Sequence, residues 1–200
     1  MPVESALDFR PLTPPLLDAL RAVLRGSWGS GCWCMHPRLT RAQMRALPGP
    51  GSEIERRRAA LAELSARPRA PGLLAFAGAE PVGWIAVAPR HELARIEASR
   101  ATPRVDAVAV WVIPCVTVRK TRRGEGIALA LIRAAVAYAA AHGAPAVEAY
   151  PRAGGERIGD DSAFIGTEIL FARAGFAVIR PPLPDLPAAW PPRVTMRIVP

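Results

Sequence analysis

An α/β (α+β) chain, with helices flanking a largely buried sheet, is what this sequence predicts, and three observations carry the prediction. Apolar residues recur at helical spacing near the N-terminus, Val-rich runs of strand length fill the middle, and an Ala-rich helical run opens a strand–helix–strand alternation that continues to the end. Half of the 200 residues are hydrophobic and 22% are charged, so the chain can bury a core and is not expected to stay disordered.

In order, residues 6–11 are short and suit a first strand, and Thr13-Pro14-Pro15 reads as a helix entry with Thr13 as cap. Leu16, Leu17, Leu20, Val23 and Leu24 give that helix one apolar face, and the Gly-rich stretch 26–31 ends it. Helices follow within 41–47 and over 53–66, the latter stopped before Pro68. Its consecutive Arg56, Arg57 and Arg58 point in different directions, which is a solvated face and not a binding patch. Strands at 73–77 and 82–87 flank Gly78-Ala79-Glu80-Pro81 as a hairpin, and 89–103 is an irregular loop with a little helix. The run 107–118 suits a central strand buried on both faces, with a bulge or splay at Pro114, which has no N–H for the ladder. A helix spans 124–142 and ends at Gly143. A strand at 146–150, a loop to 161, a helix over 162–174, and strands at 176–180 and 194–199 complete the reading.

No repeat or second domain is visible, so 1–200 is expected to be one domain. The most apolar helix, 127–141, is too short to span a bilayer and contains Arg133, and residues 1–5 lack the start of a secretory signal. The three cysteines, Cys32, Cys34 and Cys115, do not suggest a disulfide framework. A cytoplasmic protein without a membrane partner is expected. The net charge of +9 is almost all arginine, with Lys120 the only lysine, and neither a basic–aromatic platform nor a helix-turn-helix signature accompanies it. No nucleic-acid partner is expected.

The chemistry concentrates in residues 116–128, Val-Thr-Val-Arg-Lys-Thr-Arg-Arg-Gly-Glu-Gly-Ile-Ala, which join a buried strand to a helix N-terminus. Unpaired N–H groups, the positive end of a helix dipole, glycines and four cations make a loop suited to a diphosphate. It has neither the Gly-Lys-Ser/Thr ending of a Walker loop nor three spaced dinucleotide glycines.

Arg123-Gly124-Glu125-Gly126-Ile127-Ala128 matches Gln/Arg-x-x-Gly-x-Gly/Ala, and here the chain resembles the GNAT (GCN5-related N-acetyltransferase) superfamily. Phe171-Ala172-Arg173-Ala174-Gly175-Phe176 is similar to the family's aromatic-x-x-x-Gly-Phe segment, and 194–197 fits its final strand. The resemblance covers 71–200 as a core, leaving 1–70 as a divergent helical part that contributes to the acceptor site. It implies a mixed sheet splayed in a V, with acetyl-CoA in the V as co-substrate, no metal, and acetyl transfer to an amine of a small molecule or peptide. A homodimer is left open. By the same resemblance Val116, Thr117 and Val118 meet the pantetheine, while Arg123, Gly124, Glu125, Gly126, Ile127 and Ala128 cradle the pyrophosphate. Two departures stand out: Phe171 occupies the place of the usual thiolate-protonating Tyr, and 107–118 lacks the usual basic carboxylate. The alternative function is a catalytically silent acyl-CoA-binding module.

Glu148 and Tyr150 share one face of the strand after the helix, and are the replacements nominated for base and acid, against a reading as packed core. Cys115 reads as core. Gly31-Cys32-Trp33-Cys34-Met35-His36 holds two thiols and an imidazole, but Cys-x-Cys is not the usual zinc-chelating spacing. Trp28, Trp33 and His36 are instead candidates for the acceptor pocket, against an aromatic loop packed on the core. His91 and His142 read as structural.

Overall fold

The computed structural model describes residues 7–27, 29–154, 164–187 and 189–200. Its sheet runs β1 (Leu7–Pro11), β2 (Gly72–Ala77), β3 (Glu80–Pro89), β4 (Trp111–Val118), β5 (Val147–Ala149), β7 (Thr195–Ile198) and, at the far edge, β6 (Ala177–Arg180). Neighbours are antiparallel except β4 and β5, which makes the sheet mixed.

The alternation of β2 and β3 shows why both faces are covered. Leu73, Ala75, Val82, Ile85 and Val87 pack with Ile127, Leu131 and Ala135 of α6 (Ile127–Ala141). Leu74, Phe76, Trp84 and Ala86 face the other way, onto Leu20 and Leu24 of α1 (Leu17–Leu24) and Leu61 of α4 (Glu53–Ser65). Successive side chains point to opposite faces, so an apolar run needs a layer on each side. Each large side chain so buried is worth about 1.5–3 kcal/mol. A Cβ at Gly83 would sit 2.7 Å from Leu131 Cδ1, so this glycine lets α6 approach β3 closely.

The remaining helices are short: α2 (Gly29–Cys32), α3 (Arg41–Arg45), α5 (Ala94–Glu97) and α7 (Glu168–Arg173). Capping boxes of Thr40 with Gln43 and of Ser52 with Glu55 start α3 and α4, each cap contributing about 1 kcal/mol. Thr13 sits at the cap position expected of it, but its side chain makes no capping bond. The strand expected over 107–118 begins only at Trp111, because the Asp106 carboxylate takes the Val108 N–H in a local turn and also pairs with Arg197. The helix expected from 124 begins at Ile127, since Gly124 and Gly126 adopt φ of +87° and +78°. The helix expected over 162–174 covers Glu168–Arg173 and is capped by Thr167, residues 162–163 lying outside the described ones. Among the described residues no helix is long and apolar enough to cross a membrane.

One feature positions the site. β4 and β5 pair at Trp111–Val147, Val112–Glu148 and Ile113–Ala149, and no further. Pro114 comes next and offers no N–H, and the β3–β4 register shifts at this point, between the Ala86–Cys115 and Ala88–Val112 pairs. From Cys115 to Val118 the strand is paired with β3 alone, so its other edge is open and the sheet splays into a V.

Candidate active site

Two cavities occupy the splay. The first, about 450 Å³, is lined by Val116, Thr117 and Val118 of β4, and by Arg123, Gly124, Gly126, Ile127 and Ala128 at the entry to α6. Gly29, Phe164, Gly166, Thr167 and Leu170 contribute to its walls. Of the expected cofactor contacts only Glu125 is missing from the wall. Its carboxylate instead accepts from the Arg122 guanidinium at 2.9 and 3.0 Å. Glu80, from the turn into β3, accepts from both Arg119 and Arg122 at 2.8 Å, which ties the basic loop to the sheet. The first backbone bond into α6 runs from Ala130 N–H to the Gly126 carbonyl at 3.1 Å. The N–H groups of 124–129 donate to no described residue. A Cβ built on Gly124 or Gly126 meets nothing within 4 Å, so both glycines border open space. Helix-end donors, open glycines and an unpaired strand edge in one cleft fit a ligand with phosphates at one end and amides along its length.

The second cavity, about 350 Å³, is lined by His36, Arg95, Thr102, Ile113, Pro114, Cys115, Tyr150, Ile165, Trp190 and Arg193, among others. Gly29, Thr117 and Phe164 belong to the walls of both cavities, which therefore adjoin at the mouth of the V.

A family model described as "Acetyltransferase (GNAT) family" matches residues 37–156, which span the strand edge and the loop into α6. The chain belongs to the acetyltransferase (GNAT) family. Its fold is similar to that of an N-acetyltransferase from Staphylococcus aureus Mu50, at 15% identity and TM-score 0.56, covering 98% of this chain and 99% of that one. It is also similar to the PaiA N-acetyltransferase from Thermoplasma acidophilum in complex with coenzyme A, at 14% identity and TM-score 0.53, covering 97% and 99%. At these identities the likeness is one of fold. A comparison with curated protein sequences returned no match.

The other nominated residues of this GNAT chain take different places. Glu148 is 2% exposed and lines neither cavity. Its Oε1 accepts from Arg197 Nε and Nη2 at 3.1 and 2.6 Å, and its Oε2 accepts from the Tyr150 hydroxyl at 2.6 Å, with Arg90 Nη1 at 3.7 Å. Both oxygens are engaged by buried partners, so Glu148, nominated above as base, stands at the centre of an ion-pair network and away from both cavities. Tyr150 does line the second cavity, yet its hydroxyl accepts from Arg90 and sends its own proton to Glu148. Burial and the Glu148 carboxylate push that phenol up, so it stays protonated. The alternation argument put the two residues on one face correctly. What it missed was Arg90, buried beside them and hydrogen-bonded to the Thr102 carbonyl at 2.6 Å and Glu97 at 2.7 Å.

Trp33 also stands away from both cavities, as the alternative of an aromatic loop packed on the core has it. Together with Cys34 it has positive φ, +48° and +52°, and this turn sends the indole into the core under Arg58, away from either cavity. Trp28 lies outside the described residues. Cys34 and Cys115 meet beneath the second cavity, where the Trp84 indole N–H donates to Cys34 Sγ at 2.8 Å. The Cys115 contact and burial push the Cys34 thiol up, and burial pushes Cys32 to about 11. Neither is a thiolate at neutral pH. Among the described residues no cluster of three His, Cys, Asp or Glu could hold a metal ion. Phe171 is fully buried, edge-on to Phe176 at 5.1 Å, and borders neither cavity. His142 stacks by Tyr138 and binds its carbonyl through Nδ1 at 2.8 Å, while His91 is exposed beside Glu92.

His36 faces the second cavity. Although open to solvent on one side, its imidazole is lowered to about 4, first by desolvation and then by the charges of Arg95, Arg193, Arg41 and Arg57. It is therefore neutral at neutral pH. The unfolded chain, with an ordinary histidine near 6.5, binds more protons between pH 6.5 and 4. This residue's contribution to stability is present above pH 6.5 and is lost as pH falls toward 4. Melting temperature followed across that window should decline less in His36→Gln than in the parent protein.

Proposed function

We propose that this acetyltransferase moves the acetyl group of acetyl-CoA directly to an amine held in the second cavity. The observation that carries the proposal is the meeting of the two cavities at Thr117, on the unpaired edge of β4. Acetyl-CoA, when bound, supplies an acetyl group activated as a thioester. The chain's residues hold, orient and deprotonate. The free edge of 116–118 offers main-chain groups to the pantetheine amides, and the N–H groups and dipole at the start of α6 hold the pyrophosphate. Holding the amine next to that edge turns a bimolecular attack into a positioned one.

In the transfer the amine nitrogen bonds to the acetyl carbon, the carbon–sulfur bond breaks, and the amine's proton must leave. His36 is the neutral acceptor for that proton on the acceptor side, since the Cys32 and Cys34 thiols and the Tyr150 phenol are held protonated. Solvent protonates the departing thiolate, because the Tyr150 proton is committed to Glu148 and Phe171 has none. A base lowered to about 4 is weak by Brønsted behaviour, so His36→Gln should lower kcat only about tenfold, below the usual range for a well-tuned base. Its dissociation constant for CoA should not change.

Calorimetry should show saturable binding of acetyl-CoA, and thiol release should accompany it in the presence of a suitable amine. A flat titration at millimolar acetyl-CoA would sink the reading. The second reading, a silent acyl-CoA-binding module, draws on Phe171 and on the engaged Glu148. Binding without thiol release from any amine would favour it. Three free thiols fit work in the reducing cytoplasm.

A further inference from the structure

We infer that the acceptor is a small amine bearing a carboxylate, and that Arg193 and Arg95 hold the carboxylate in the second cavity. The inference rests on the acetyl-transfer reading and adds the substrate class.

Charge comes first. Arg95 and Arg193 both line this cavity, and no Asp or Glu is among its described lining residues. Several other guanidinium groups of this arginine-rich chain meet carboxylates, Arg90 and Arg104 at Glu97, Arg119 and Arg122 at Glu80, Arg197 at Asp106 and Glu148, while Arg38 and Arg180 donate to backbone carbonyls. Among the described residues no carboxylate lies within ion-pair distance of Arg95 or Arg193. Arg193 also pairs by a backbone bridge with Arg152, which has no such carboxylate partner either. A half-buried guanidinium beside a like charge is one whose charged form gains from a bound anion. Burial and Arg152 indeed pull Arg193 below its ordinary value.

Geometry adds to charge. Arg95 Nε donates to the His36 and Leu39 carbonyls at 2.7 and 3.1 Å, which fixes the guanidinium and leaves its outer nitrogens for a ligand. Thr102, 3% exposed and part of the same wall, carries a hydroxyl with no partner among the described residues. Around these, Ile113, Pro114, Ile165 and Trp190 are apolar, and about 350 Å³ suits a molecule of amino-acid size with an apolar body.

The same positive potential acts on the other end of the acceptor. It disfavours the ammonium form of the amine and so assists its deprotonation, a task otherwise left to the weak base His36. Polyamines and other polycations are correspondingly poor acceptors.

The test measures thiol release from acetyl-CoA with matched amines that differ in the anion: phenylalanine and 5-aminovalerate beside phenylalaninamide and 5-aminovaleramide. The acids should exceed their amides by about tenfold or more in kcat/KM, the scale of one charge-assisted hydrogen bond. Arg193→Gln should remove about tenfold from the acids alone, and Arg193→Lys should restore part of it. Amides equal to acids, or an equal loss on both with Arg193→Gln, overturn the carboxylate while acetyl transfer stands. Faster transfer to O-phosphoethanolamine than to β-alanine replaces the carboxylate by phosphate. Faster transfer to an acidic peptide N-terminus overturns the small-molecule assignment. No release with any amine at saturating acetyl-CoA overturns both readings together.

Discussion

Replacing Glu148 by alanine is expected to remove about 3–5 kcal/mol of stability, the usual cost of breaking a buried ion pair by deleting one partner. Against a total of about 5–15 kcal/mol for a domain, this is a large share. The cost is high because the carboxylate satisfies several groups at once. Arg90 is 2% exposed, Arg197 donates two hydrogen bonds, and the Tyr150 hydroxyl has Glu148 as its acceptor. With Glu148 gone, Arg90 retains Glu97 and the Thr102 carbonyl, and Arg197 retains Asp106, so the fold is weakened and not abolished. Urea denaturation should show a lower midpoint with an unchanged slope. Turnover per folded molecule should stay within a few-fold of the parent. A loss of about 100-fold in kcat without a shift in midpoint would return the base to Glu148.

Gly126→Val is expected to weaken acetyl-CoA binding by about 100-fold while costing about 1–2 kcal/mol of stability. The two effects have separate causes. Gly126 has φ of +78°, which a β-branched residue adopts only under strain, and that strain is felt by folding alone. Nothing lies within 4 Å of a Cβ at this position, so the Cβ itself displaces no protein atom. It borders instead the cleft where the N–H groups at the start of α6 have no partner among the described residues, and would displace a phosphate from charge-assisted bonds. Gly143 makes a control, with φ of +77° and equally open space, beyond the C-terminal end of α6 and so a helix length from the cleft. Gly143→Val should carry the strain without the loss of affinity. Equal losses of affinity in both variants would remove Gly126 from the cofactor cleft.

The cleft proposed for acetyl-CoA was legible in the sequence as a structural unit because its parts are contiguous. Strand, glycine loop and helix start fall within thirteen residues, and local rules govern them. The second cavity was not, because its walls come from distant places: His36, Arg95, Thr102, Tyr150 and Arg193 meet only after the sheet is assembled. No period or spacing marks Arg95 or Arg193 among so many arginines. The surroundings of Glu148 were not legible for a related reason. Alternation gives the face on which a side chain stands, but not that Arg90 and Arg197, from two other elements, close over it. The loop that holds Trp33 does border the second cavity, through Cys32, Cys34 and His36, but local sequence does not say which of its side chains turns into the core, and Trp33 does.

Pro114 also guards the protein against itself. Two parallel strands that have begun to pair gain a hydrogen bond at each further step, so a V with a full set of donors could zip shut in the absence of ligand. The residue immediately beyond the last β4–β5 rung has no donor to offer, and the ladder therefore stops at the point where the cleft must begin. The groove is thus kept open by a missing proton, with no lid or bound molecule needed as a prop. The opened edge, which on an outer strand would invite pairing with a neighbouring chain, lies within the sheet where β5 and α6 flank it. The chain obtains a permanent, recessed template for an amide-bearing guest from a single imino acid.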